Sequence, residues 1–144
     1  MDKIGDLLNR ITTANQNAKA IVVQNSKYKR EILKVLYEEG WIAGIMEKKD
    51  NLNSKTCIKE LIVFLKRPYI DASNKNWTNI NLKVLRISKP GRRIYYSAKE
   101  TKNLLLKVTN IASTIIISTN KGVMTVNKAA ELNLGGELLF KIST

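Results

Sequence analysis

Apolar residues first recur at helical spacing. Ile4, Leu7, Leu8 and Ile11 stand at i, i+3, i+4 and i+7 and predict an amphipathic helix over 2–14. Asp2 suits its N-cap, where a carboxylate meets the positive end of the helix. The run KAIVVQ over 19–24 is β-branched and predicts a strand. Asn25-Ser26 breaks it, and Ser26 can cap a second helix over 27–39, whose predicted buried face is Tyr28, Ile32, Val35 and Leu36. Gly40 suits the left-handed position after that helix. Segments 41–47 and 56–66 read as strands of a hairpin around the turn-forming DNLNSK at 50–55. The first lobe is therefore expected over 1–66 as α-β-α-β-β.

Residues 67–81 are polar and Asn-rich, include Pro68, and predict a linker in which Trp77 packs against one lobe. A second lobe over 82–144 opens with a strand at 82–88. The following Lys89-Pro90-Gly91-Arg92 predicts a type II turn, with Pro at i+1 and Gly supplying positive φ at i+2. RIYY at 93–96 continues as strand. Ser97 and Glu100 form a capping box for a helix to about Val108 that buries Leu104, Leu105 and Val108. Segment 114–119 is an apolar strand and Asn120-Lys121-Gly122 a turn. Thr125 caps a short helix over 126–133 that buries Ala129, Ala130 and Leu132. Leu134-Gly135-Gly136 ends it, and 137–142 is a closing strand. The expected class is α+β in two lobes, the second mostly β with short helices.

Charge changes this from a fold problem into a binding problem. The 144 residues carry 25 Lys plus Arg against 12 Asp plus Glu, a net +13. Residues 1–81 hold 14 bases and 9 acids, whereas 82–144 hold 11 bases and only Glu100, Glu131 and Glu137. Such an excess points to a polyanion, and the second lobe is its expected site. With no His and one Cys, Cys57, neither His-based catalysis, a multi-Cys zinc site nor an internal disulfide is available. Cys57 lies in an apolar run and reads as a core thiol. No cofactor, metal or small-molecule substrate is expected, and no enzyme. The longest apolar run, around 114–117, is far short of a bilayer span, and the N-terminus resembles neither a secretory nor a transit peptide. The mature chain is expected to start at Met1.

Two turns carry the candidate chemistry. Ser118-Thr119-Asn120-Lys121-Gly122 groups two hydroxyls, an amide, an ammonium and a glycine, which suit ribose hydroxyls, base edges and phosphate. Ser88-Lys89-Pro90-Gly91-Arg92-Arg93 holds three cations, with Arg86 nearby, and leads into Tyr95 and Tyr96. Strand alternation sends those tyrosines to opposite faces, so only one can stack on a base. The alternative class is a basic adaptor for a protein partner or an anionic membrane surface.

The same residues carry a resemblance. SKPGRRIYY is similar to a Ser-Arg-Pro-Gly-x-Arg-Ile-Tyr segment, and STNKGVMT with Ala129 and GGE at 135–137 resembles a Ser-Thr-Ser-Lys-Gly-Val-Met-Thr signature. Both belong to the bacterial-type small-subunit ribosomal protein eight family. DKIGDLLNRI and SKYKREILKVLYEEGWI resemble that family's first helix and its second helix with the following strand, so the likeness covers nearly the whole chain in order. It implies a two-lobed primary rRNA-binding protein of the small-subunit central domain that helps organise the platform beside neighbouring ribosomal proteins. Bacterial members can also repress translation of their own operon. The resemblance implies RNA contacts at Ser118, Thr119, Asn120, Lys121, Gly122 and Thr125, and at Ser88, Lys89, Pro90, Gly91, Arg92 and Tyr95. Glu137 would order the loop or touch RNA. Arg10, Ser26 and Lys27 would add contacts from the first lobe. The chain departs from the family at Val126 and Ala130, where Asp and Arg are usual, and at Asn120, where Ser is frequent. This drift, with abundant Asn, Lys and Ile, points to an organelle-encoded copy, mitochondrial in the first place, with a plastid or AT-rich bacterial origin as the alternative. Synthesis inside the organelle agrees with the missing transit peptide.

Overall fold

Helix α1 (Lys3–Asn17) forms where the apolar spacing demands it and buries Leu7, Leu8 and Ile11. It belongs to a computed structural model that describes residues 2–17, 20–50, 57–66, 82–108 and 112–144, and the side chains of all of these except 15–17, 49, 50 and 57–59. The expected linker 67–81 with Trp77, most of the 50–55 turn and the Cys57 side chain lie outside that description. The chain divides at Leu82 into two units, with Asp2 grouped in the second.

In the first unit, β1 (Ala20–Gln24), α2 (Lys27–Glu38), β2 (Ile42–Asp50) and β3 (Cys57–Leu65) follow α1. The α-β-α-β-β order is the expected one. The sheet is antiparallel in the order β1-β3-β2. Helix α1 packs on β1 and α2 on β2, enclosing Ile32, Leu33, Leu36, Val23, Leu61 and Val63. Each such side chain contributes roughly 1.5–3 kcal/mol by leaving water. Tyr28 is only half-buried, and the face includes Leu33 and, unexpectedly, Lys29. The Lys29 ammonium is kept by Asp6 of α1, 3.9 Å away. The end of α2 is a Schellman turn: Gly40 takes φ 77°, its N–H donates to the Tyr37 carbonyl, and the Trp41 N–H reaches the Leu36 carbonyl at 2.8 Å.

The second unit contains β4 (Lys83–Arg86), β5 (Tyr95–Tyr96), α3 (Ala98–Lys107), β6 (Ser113–Thr119), β7 (Gly122–Thr125), α4 (Val126–Glu131) and β8 (Gly136–Ser143). The sheet is antiparallel in the order β4-β8-β6-β7, with β5 pairing the other end of the β8 edge that β4 uses. Its core joins Ile115, Ile117, Met124, Val126, Ala129 and Leu138, against which Tyr96, Leu104, Leu105 and Val108 pack. The capping box is present: Glu100 N–H donates to the Ser97 hydroxyl, and Ser97 N–H to the Glu100 carboxylate at 2.8 Å.

Several expectations need correction in this unit. Gly122–Thr125 is a strand, too short to announce itself and made by pairing with β6. The 82–88 strand stops at Arg86, because Ile87 and Ser88 both donate to the carbonyl of Leu139. Leu139 is the residue skipped where the β6–β8 register shifts. Helix α4 ends at Glu131, not 133. Its stop is Asn133 at φ 58° with the Leu134 N–H on the Ala129 carbonyl, so the glycine pair does not end it. Leu132 is exposed, and the buried residues of α4 are Val126, Ala129 and Ala130.

Candidate nucleic-acid interface

Strand β8 brings the two turns together. Glu137 pairs with Tyr95 of β5 on one side and with Ser118 of β6 on the other. Ser118 in turn faces Val123 of β7. Directly paired residues of an antiparallel sheet point to the same face. Tyr95, Glu137 and Ser118 therefore form one row, with Tyr95 and Ser118 about 10 Å apart across two strand spacings. The next row, Tyr96, Gly136 and Thr119, turns to the opposite face. Tyr96 joins the core and Tyr95 is 65% exposed, so Tyr95 is the tyrosine available for stacking.

A close approach of backbones makes this row possible. A Cβ on Gly136 would lie 2.0 Å from the Ser118 carbonyl oxygen, and 3.1 Å from the Thr119 Cα. Only a residue without one lets β8 run this near to β6. The hairpin beyond Thr119 is locked from within. The Thr119 hydroxyl donates to the Gly122 carbonyl at 2.9 Å and accepts the Lys121 N–H at 3.2 Å. Gly122 takes φ 108°, while Asn120 and Lys121 do not enter the positive-φ region. The hydroxyl of Thr119 is thus committed to the turn. Asn120 and Lys121 are exposed, and within the described residues neither their side chains nor the Ser118 hydroxyl has a hydrogen-bond or ion-pair partner. Thr125 is buried and caps α4, accepting the Lys128 N–H.

The second turn closes through reciprocal bonds between Lys89 and Arg92, at 2.9 and 3.0 Å. It is not the expected type II turn, because Gly91 lies outside the positive-φ region. A type I turn also accepts Pro90 at i+1 and needs no left-handed residue. Ser88 is buried, and its hydroxyl accepts the Ile94 N–H at 3.0 Å, pinching the base of the turn rather than facing outward. Lys89, Pro90, Gly91 and Arg92 are exposed, and Lys89 and Arg92 have no side-chain partner within the described residues. Arg86 is spoken for: it donates to the Ser88 carbonyl and pairs with Asp2 of the same unit. Arg93 reaches Glu137, its Nη1 at 3.2 and 3.3 Å from the two carboxylate oxygens.

Residues 2–143 match the family of ribosomal protein S8. The chain belongs to that family. Among relatives, the small ribosomal subunit protein uS8 of Bartonella bacilliformis is 40% identical over 142 residues, covering 98% of this chain and 96% of the relative. The uS8 proteins of Trichormus variabilis and Syntrophus aciditrophicus are 38% and 39% identical, each covering at least 94% of both chains. The S8 family is one of ribosomal structural proteins, and the signature segments quoted from the sequence are the ones that strand pairing gathers on β8. Val126 and Ala130, where the sequence departs from the resemblance, are both buried on α4.

The first-unit candidates do not share one environment. Arg10 is held by Asp6 at 3.1 Å and by the Val22 carbonyl at 3.3 Å. Ser26 is the N-cap of α2 in extended conformation without a side-chain cap bond, and Lys27 beside it is exposed. The sequence reading of the site missed Val123 and counted Arg93 only as one of the turn's cations, not as a partner of Glu137. Val123 gave no signal. The signal for the Arg93 pairing was there: Arg93 stands two before Tyr95, the spacing that puts both on one face of an extended segment. Among the described residues no helix is long and apolar enough to cross a membrane, and no three His, Cys, Asp or Glu side chains gather as metal ligands.

Proposed function

We propose that this chain is a primary rRNA-binding protein of the small ribosomal subunit, which grips the central domain through its second unit and helps organise the platform with neighbouring ribosomal proteins. The observation that carries the reading is the row Tyr95–Glu137–Ser118, whose strands β5 and β6 adjoin the turns that hold Lys89, Arg92 and Lys121, three cations without partners among the described residues. The cations supply affinity by releasing counterions from phosphates, a sequence-independent gain that salt removes. Ser118, Asn120 and the exposed Tyr95 ring supply contacts to ribose hydroxyls, base edges and base faces, which tell an irregular stem from a regular duplex. Ser88 and Thr119 act by shaping the two turns, and Thr125 by capping α4. Abundant Asn, Lys and Ile support an organelle-encoded, mitochondrial ribosome as the location. The genome carrying the gene decides between that and a plastid or bacterial ribosome.

The test is binding to a transcript of the small-subunit rRNA central domain across a salt series. Lys121→Ala weakens binding and lowers the salt slope by about one unit if Lys121 meets one phosphate. An unchanged slope removes Lys121 from the interface, and wild-type binding no tighter than to a regular duplex defeats the assignment.

A further inference from the structure

Helix α3 carries a charge pattern that its own stability does not ask for. Leu104 and Leu105 pack on the core of the second unit, and Thr101 is buried. The outward positions Lys99, Lys102, Asn103 and Leu106 stand at i, i+3, i+4 and i+7, so they form one stripe, with Lys107 beside it. The three lysines have no hydrogen-bond or ion-pair partner among the described residues. Glu100, the acid of this helix, is turned to the cap, where its carboxylate takes both the N–H and the hydroxyl of Ser97 at 2.8 Å. Lys99 stands in the first turn, where the positive end of the helix disfavours a cation, and it makes a like-charged i,i+3 pair with Lys102. Both placements work against the helix. Leu106, one turn beyond Lys102, is 81% exposed.

We propose that this stripe docks an acidic protein segment, whose carboxylates meet Lys99, Lys102 and Lys107 while an apolar side chain covers Leu106. The proposal rests on the reading that neighbouring ribosomal proteins surround this chain. Charge sets the sign of the partner, since three unpartnered cations complement an anionic surface. It also argues against a second copy of the chain, whose own net charge is +13. Leu106 decides against RNA. A phosphate backbone gains nothing from an exposed leucine, and the stripe has no arginine or aromatic ring to read a base. An apolar centre within a charged rim is the anatomy of a protein interface. The stripe also lies away from the RNA row. Tyr96 turns to the core that α3 covers, and Tyr95 turns to the other face of the sheet. Both surfaces can therefore be occupied at once.

The experiment is photo-crosslinking with Leu106→p-benzoylphenylalanine, in small subunits assembled with the full-length variant. Position 106 faces solvent, so the substitution leaves the core intact. Mass spectrometry of the product is expected to find a protein segment of net negative charge with an apolar residue at the attachment point. A crosslink to rRNA, to a segment without net negative charge, or to nothing overturns the proposal. Adding Lys99→Glu and Lys102→Glu to the same chain should lower the crosslink yield roughly tenfold, because like charges then face each other. An unchanged yield overturns charge pairing as the basis of docking. The melting temperature of that variant should hold or rise, since glutamate suits the first turn, so a lost crosslink reports docking rather than unfolding. The same photoreactive group in place of Tyr95 separates the readings. Absence of an rRNA crosslink there defeats the RNA reading and leaves the result at position 106 standing. Failure of the wild-type chain to enter small subunits defeats the ribosomal placement and the proposal with it.

Discussion

Gly136→Ala tests the contact that holds the row together. The new Cβ would lie 2.0 Å from the Ser118 carbonyl oxygen, 2.8 Å from its carbon and 3.1 Å from the Thr119 Cα, all of them backbone. No flexible side chain can yield, so β8 must retreat from β6 by about 1 Å to restore an ordinary contact. A ladder hydrogen bond of about 2.9 Å stretched by that amount is lost. The bonds at risk belong to the pairs Thr119–Gly136 and Ser118–Glu137. Two such bonds contribute about 2 kcal/mol, and strain from overpacking adds about 1–3 kcal/mol, so the cost is roughly 3–5 kcal/mol. In a unit of about 60 residues this lowers Tm by at least about 12 °C. Thermal melting followed by circular dichroism measures it, and amide exchange at Ser118 and Thr119 should accelerate together. A variant melting within about 1 °C of wild type would refute the close approach, and with it the alignment of Tyr95, Glu137 and Ser118.

Gly91→Ala is the counterpart: no atom lies within 4 Å of the added Cβ and no positive φ has to be kept. Stability should change by less than about 0.5 kcal/mol, as for ordinary surface positions. Binding to the rRNA transcript should nevertheless weaken if RNA comes against this turn, and unaltered binding by Gly91→Ala removes Gly91 from the interface. Glu100 is held below the ordinary carboxylate value of 4.5, first by the N–H of Ser97 and then by its hydroxyl. Its folded value is therefore the lower one, and the cap's contribution to stability is complete above pH 4.5 and lost only as pH falls through that depressed value. An NMR titration of the Ser97 amide should show a midpoint below 4.5 that disappears in Glu100→Gln, and a midpoint at or above 4.5 contradicts the capping box.

Local chemistry was legible where neighbours in sequence are neighbours in space. The stripe Leu7-Leu8-Ile11, the Schellman stop at Gly40 and the Ser97–Glu100 box each involve residues within a few positions, and all three formed as read. Errors arose where a residue's role was set from far away. Gly136 looked like the end of a helix, and its reason is the backbone of Ser118. Leu132 looked apolar enough to be buried, and it stands exposed at the C-cap of α4. Gly122–Thr125 is a strand because β6 lies beside it, and four residues carry too little pattern to say so.

The sequence alone determined the α+β class, the element order of the first unit, the basic bias of residues 82–144 and the two turns that carry the family signature. These follow from periodicity, capping and charge, which are properties of short stretches or of sums. Tertiary structure decided which tyrosine is exposed, that Ser88 and Thr119 face inward, and that Arg93 is balanced by a carboxylate 44 positions away. Residues 95, 118 and 137 become one row only through the register of β8 against β5 and β6. Register is a choice among pairings of distant segments, made by burying one face of the whole sheet, and no local pattern contains it.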